Sequence, residues 1–123
     1  LDADLVARGD FTEESGARAC AALLDAAGEG GLDGLFAASD LMARGALREL
    51  ARHGLRVPED VAVVGYDDLG VAEHTDPPLT TLRNPIASMV TEAIRLLSEA
   101  IAEGAGGPPP VGVGPQAVRR ASV

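Results

Sequence analysis

The 123-residue chain has no lysine, no tryptophan, a single cysteine and only three aromatic residues, Phe11, Phe36 and Tyr66. Each shortage excludes something. One cysteine means no internal disulfide, and Cys20 sits among alanines and leucines, where a thiol behaves as a small buried hydrophobe. Basic residues are outnumbered, ten against nineteen acids for a net charge of −9, which disfavours nucleic acid or an anionic membrane as a direct partner. The one basic doublet, Arg119-Arg120, is too short for a nucleic-acid patch. No stretch approaches the roughly 20 apolar residues of a membrane span. The opening LDADLVARGD also lacks the basic-then-apolar plan of a secretory signal. A cytoplasmic setting is expected and, with no initiator methionine, a piece of a longer protein.

What is present is a 46% apolar complement dominated by alanine, leucine and valine, enough for about one domain. Gly9-Asp10-Phe11-Thr12 reads as a turn into a helix, with Glu13 and Glu14 in its first turn where the macrodipole favours negative charge. Ala17, Cys20, Ala21, Leu24 and Ala27 give that helix a face of small residues. Leu35–Ala38 reads as a short strand, and Ser39 or Asp40 can cap a helix over 41–52. The run at 61–66 reads as a strand buried on both faces, 79–82 as a short strand, and 85–103 as a helix with Asn84 as N-cap and Pro85 at N1. GAGGPPP at 104–110 is a connector, after which Val111, Val113 and Val118 suggest an edge strand. Strand, helix and strand within about 32 residues is the size of a parallel βαβ unit.

The apolar run Val61-Ala62-Val63-Val64-Gly65-Tyr66 stops abruptly on Asp67 and Asp68. Ligands of open α/β sheets bind at the carboxyl ends of the strands, and parallel pairing would bring Ser39-Asp40 to the same rim. Aspartate is also common in turns and caps, so Asp40 and Asp68 read equally well as loop braces. A phosphate site is disfavoured because no glycine-rich phosphate loop occurs and carboxylates repel phosphate. A magnesium site on Asp67 and Asp68 would imply phosphotransfer, for which the chain has no lysine. A sugar or polyol fits better: a carboxylate accepts two hydroxyl hydrogen bonds and an aromatic ring covers the apolar face of the sugar. Phe11 is a candidate for that ring, with an ordinary core position as the alternative. His53 and His74 have no motif context for catalysis, and no metal-ligand spacing joins them to Cys20.

GDFTEESG at 9–16, FAASDLMARGALREL at 36–50, GLRVPEDVAVVGYDDL at 54–69 and PPLTTLRNP at 77–85 together resemble the effector-binding core of lactose-repressor-type (LacI/GalR) transcriptional regulators. AVRRAS at 117–122 resembles the closing Arg-x-Ser strand of that family. The resemblance implies an α/β, periplasmic-binding-protein-like fold with parallel βαβ layers, here incomplete. Residues 1–83 would form the C-terminal subdomain, and 84–123 the crossover helix and closing strand. The helix from Ile86 to Ile101 would then show an apolar face that the family packs partly on its N-terminal subdomain. One departure is Met89-Val90, where the family often has glycine.

Residue by residue, Asp67 matches the aspartate that bonds the effector, Phe11 the stacking aromatic, Ser39 a variable ligand-contacting position, and Asn84 a polar residue of the cleft. The family's effector-clamping arginine would lie upstream of Leu1. The implied function is effector binding and homodimerisation in a regulator, with a small molecule of sugar type as effector. DNA would be bound only through a domain absent from the chain; no enzyme activity, cofactor, metal or membrane is implied. The helix at 41–52, the turn after Phe11 and the loop at 70–76 would form the dimer surface. A solute-capture protein of a transporter and the magnesium-dependent phosphotransfer domain remain as alternatives.

Overall fold

In the computed structural model, which describes residues 3–103 and 112–123, the first helix starts for a local reason. The Thr12 hydroxyl accepts the Ser15 N–H at 3.1 Å, so an otherwise orphaned donor of α1 (Glu13–Ala27) is satisfied. The chain leaves this helix at Gly28, whose φ of 57° suits a residue without a Cβ. After β1 (Gly34–Phe36), Ser39 repeats the capping device, accepting the Met42 N–H at 3.2 Å at the start of α2 (Asp40–Arg52). The remaining elements are β2 (Ala62–Asp67), β3 (Thr80–Arg83), α3 (Ile86–Glu103) and β4 (Gln116–Val118). Short 3₁₀ turns lie at Ala3–Leu5, Gly28–Gly30 and Ala72–His74.

The strands form one sheet in the order β1-β2-β3-β4. β1 and β3 both run parallel to β2, with Leu35 opposite Val63 and Asp67 opposite Arg83. α2 packs on β2 and against α1. The helices meet almost backbone to backbone. A Cβ at Gly45 would overlap the Glu13 carbonyl oxygen and lie 2.8 Å from the Ala17 nitrogen, and one at Gly16 would overlap the backbone of Met42. Across the same seam, Arg44 Nε donates to Glu13 Oε2 at 2.7 Å and Arg48 also bonds Glu13. Cys20, Ala43, Ala46, Leu47, Leu50 and Val63 are the centre of the core. Burial pushes the Cys20 thiol pKa up to about 11, helped by Glu49, so the thiol is inert packing.

Three expectations shift in register. β2 begins at Ala62 because the Val61 N–H is spent on the Arg56 carbonyl. Its burial alternates, Val63 and Gly65 inward and Ala62, Val64 and Tyr66 half-buried, so it is not equally enclosed on both faces. β1 ends at Phe36, since Ser39 already turns the chain into α2. The closing strand begins at Gln116: Gly112 and Gly114 flank Val113, and Pro115 has no N–H to give a ladder. Val111 and the 104–110 connector lie outside the described residues.

The chain divides into two compact units. The first runs to Arg83 and includes Ala117–Val123; the second is Asn84–Gln116. Within the first, the tail is stitched in by Ser122. Its hydroxyl donates to the Val63 carbonyl at 2.6 Å and accepts the Thr80 N–H at 2.8 Å, while its carbonyl accepts the Val63 N–H at 2.9 Å. Within the second, Arg95 bonds both Glu92 and Glu99 along α3. Ile86, Met89, Val90, Ile94, Leu97 and Ile101 of that helix are exposed, the open apolar face that the resemblance implied.

Candidate functional site

β2 ends in a backbone geometry that L-residues avoid. Asp67 has φ 118° and Asp68 φ 55°, two consecutive non-glycine residues on the left-handed side, each costing roughly 1–3 kcal/mol. Such a corner persists only if its surroundings hold it. The Asp68 N–H donates to Asp40 Oδ2 at 2.8 Å, and Thr81 Oγ1 donates to Asp40 Oδ1 at 2.6 Å. Asp40 is 3% exposed, in the first turn of α2. Room for its carboxylate exists because residue 65 is glycine; a Cβ there would collide with Asp40 Oδ1 and approach Leu79 Cδ2 to 2.7 Å.

The Asp68 side chain is 2% exposed and doubly paired. Arg83 Nε donates to its Oδ2 at 2.7 Å, and Arg120 Nη2 to its Oδ1 at 2.8 Å. Arg120 also donates to the Leu79 carbonyl at 3.0 Å, tying the tail to the foot of β3. Burial alone would raise the Asp68 pKa, but Arg120 and Arg83 outweigh it and the carboxyl is held below the ordinary aspartate range. Asp67 is the opposite case. Burial, reinforced by the negative charge of Asp40, raises its pKa, and among the described residues its carboxylate has no hydrogen-bond or ion-pair partner. A half-buried acceptor without a donor remains at the rim of the sheet.

This arrangement selects among ligands. Asp40 and Asp68 have committed their oxygens to an amide, a hydroxyl and two guanidinium groups, which leaves a cation one carboxylate instead of three. No group of three metal-ligating side chains occurs among the described residues. Phosphate is repelled by Asp67. Neutral hydroxyl donors suit it, because hydrogen bonds to the charged form offset its desolvation.

Phe11 stands in the turn before α1 with φ 66°, the residue 64% exposed. The turn is held from both sides: Thr12 N–H and Oγ1 donate to Asp10 Oδ1 at 3.1 and 2.5 Å, and the Asp10 N–H donates to Ser15 Oγ at 3.0 Å. The Thr12 hydroxyl first, then the Ser15 hydroxyl and the Thr12 N–H, draw the Asp10 carboxyl pKa down to about 2. Phe11 is therefore an outward-facing ring, not a core residue. Ser39 shares the rim with Asp67 through its neighbour Asp40, but it is buried and its hydroxyl serves as the N-cap of α2. Asn84 opens the second unit, half-buried, its carbonyl accepting the Ile86 N–H at 2.8 Å. Asp40 and Asp68 are the braces expected. Thr81, Gly65, Arg83 and Arg120 were given no role at the site from the sequence, although they fall within its VVGYDDL, LTTLR and RRAS stretches.

A family model described as "Periplasmic binding protein-like domain" matches residues 2–123. Among curated relatives, the HTH-type transcriptional regulator CelR of Thermobifida fusca is 54% identical over 100 residues, covering 81% of this chain and 29% of the relative. The HTH-type transcriptional repressor CytR of Escherichia coli K12 is 42% identical over 97 residues, covering 79% and 28%. Among solved structures, a CelR–cellobiose complex superposes on 100% of this chain and 37% of its own with a TM-score of 0.90 at 46% identity. A LacI family regulator of Arthrobacter sp. FB24 in complex with lactose superposes on 93% and 43%, with a TM-score of 0.76 at 34% identity. The chain thus spans under a third of the curated relatives it matches.

Proposed function

The chain belongs to the LacI-type family of transcriptional regulators with a periplasmic-binding-protein-like domain, and on that premise we propose that it is the sugar-binding and dimerising part of a regulator whose DNA-binding head lies elsewhere in the whole protein. Residues 1–83 serve as the C-terminal subdomain, and 84–123 supply the crossover helix and closing strand. The observation that carries the reading is Asp67: three carboxylates meet at one rim, two are fully engaged, and the third is left without a donor. Asp67 accepts sugar hydroxyls, and the exposed ring of Phe11 covers an apolar sugar face. Ser39 contributes through its backbone, its hydroxyl being spent on the cap, and Asn84 supplies a further polar contact.

Binding of this kind does no chemistry on the sugar. Among the described residues there is no activated nucleophile, with Cys20 buried and its thiol pKa raised, and His53 and His74 engaged with Glu49 and the Gly70 carbonyl. Effector binding acts as a population shift, favouring one orientation of the subdomains and hence of the attached heads. α2, the turn after Phe11 and the 70–76 loop form the homodimer surface, to which the exposed Leu41 and Leu69 contribute. The site of action is the cytoplasm, where the operator is. The HTH-type names of the relatives support a regulator over a solute-capture protein.

The test is isothermal titration of the intact regulator with cellobiose, lactose and their monosaccharides, alongside operator binding. One sugar binds and changes operator affinity, and Asp67→Ala weakens it by about 100-fold, the loss of two charge-assisted bonds. No response to any of the sugars in either measurement rejects the reading.

A further inference from the structure

We propose that Asp40 is the positioning residue of the effector site: it holds the Asp67–Asp68 corner through the Asp68 amide and the Thr81 hydroxyl, and so sets where the Asp67 carboxylate points. The inference rests on the effector reading above and adds the device that orients its principal acceptor.

Asp40 stands in the first turn of α2, where the macrodipole favours its charge, but capping the helix does not require its side chain. The N-cap of α2 is already Ser39, whose hydroxyl takes the Met42 N–H. The Asp40 side chain instead reaches into the first unit and divides its two oxygens between chain segments 28 and 41 residues away. One is the amide of Asp68, the second residue of the left-handed corner. The other is Thr81, fully buried on β3 and in register with Gly65. Gly65 completes the device by leaving the space that the carboxylate fills. α2, the corner and β3 are thus clamped by one side chain, which bonds the residue next to Asp67. A carboxylate here has a second consequence, because its charge faces Asp67. The charged groups around Asp67 are Asp40 from α2, Asp68 beside it, Arg83 opposite on β3, and Arg120 from the tail, the two arginines being bound to Asp68. Asp40 therefore both aims Asp67 and makes it harder to ionise.

Aim and charge separate experimentally. Asparagine at position 40 accepts the Asp68 N–H with its oxygen and donates to Thr81 Oγ, whose hydroxyl rotates to suit, so Asp40→Asn keeps the clamp and drops the charge. Asp40→Ala removes both bonds of the clamp, whereas Thr81→Val, close in shape, removes the Thr81 half and leaves the Asp40 carboxylate free to turn away from the corner; the second carries the test if the first does not fold. The experiment uses the intact regulator, cellobiose as probe, crystal structures of each variant, and titration calorimetry from about pH 4 to about pH 7, the span around an upshifted aspartate.

Asp40→Asn is expected to keep the corner and to bind within about 3-fold of the parent at neutral pH, while its acid-side loss of affinity moves to lower pH. Thr81→Val and Asp40→Ala are expected to release Asp67 from the left-handed region and weaken cellobiose by about 10- to 100-fold. A corner unmoved in Thr81→Val and Asp40→Ala overturns the proposal, as does an acid limb that stays in place in Asp40→Asn. A parent that binds no sugar rejects the effector reading alone, and the corner in Thr81→Val still decides for or against Asp40.

Discussion

Between α1 and α2 the fold keeps its smallest residues, Gly16, Ala17, Cys20, Gly45 and Ala46, whereas at the end of β2 it gathers Asp40, Asp67, Asp68, Arg83 and Arg120. The seam has backbones in contact, small buried side chains and an ion-paired margin. The rim has a left-handed corner, buried charge and one acceptor with nothing to accept. The seam obeys every local rule for stable packing. The rim breaks several at once and is held only by bonds from distant parts of the chain. Departures of that kind mark functional positions, because they persist only with compensation elsewhere.

The contrast sets the order of effects on stability. Gly45→Val forces the helices apart at the Glu13 carbonyl and should cost about 4 kcal/mol or more in urea denaturation, losing the fold. Arg120→Ala leaves the buried Asp68 with Arg83 alone and detaches the tail from Leu79; a loss of about 2 kcal/mol is expected by the same assay. Asp68 also predicts an acid limb. Its folded pKa is depressed, so its contribution is complete above the ordinary aspartate value of about 3.9 and is lost as the pH falls below it. Asp68→Asn should flatten that part of the stability–pH curve. Asp67→Asn should not destabilise at all. Burial disfavours the charged form, so a small gain in the urea midpoint at neutral pH is expected, together with weakened sugar binding. Arg56→Ala, which removes an exposed pair with Asp60, should leave the midpoint where it was.

The seam was largely legible in the sequence, and the rim only in part. Thr12 and Ser39 announce their helices because a cap is a local motif, satisfied within three residues. Asp67 could be found because an apolar run stops at it. Its support could not: Asp40 reaches Asp68 across 28 residues and Thr81 across 41, and Arg120 reaches Asp68 across 52. Nothing in a linear pattern says which of the two buried hydroxyls of Thr80-Thr81 meets Asp40 and which meets the Arg120 amide; the register of β3 decides that. Ser39 shows the converse. Its position beside the rim was legible, but its hydroxyl was already committed to the cap that the same residue type announces.

The central claim is that Asp67 is an acceptor waiting for hydroxyl donors, and proton linkage tests it most directly. Cellobiose should be titrated into the intact regulator and into Asp67→Asn at mildly acidic pH, in buffers of differing ionisation enthalpy. Because the free carboxyl has a raised pKa and hydroxyl donors favour its charged form, binding to the parent should release protons, with affinity falling as the pH drops. Asp67→Asn should show weak binding and no release. Equal proton counts in the two proteins, or equal affinity, would contradict the account.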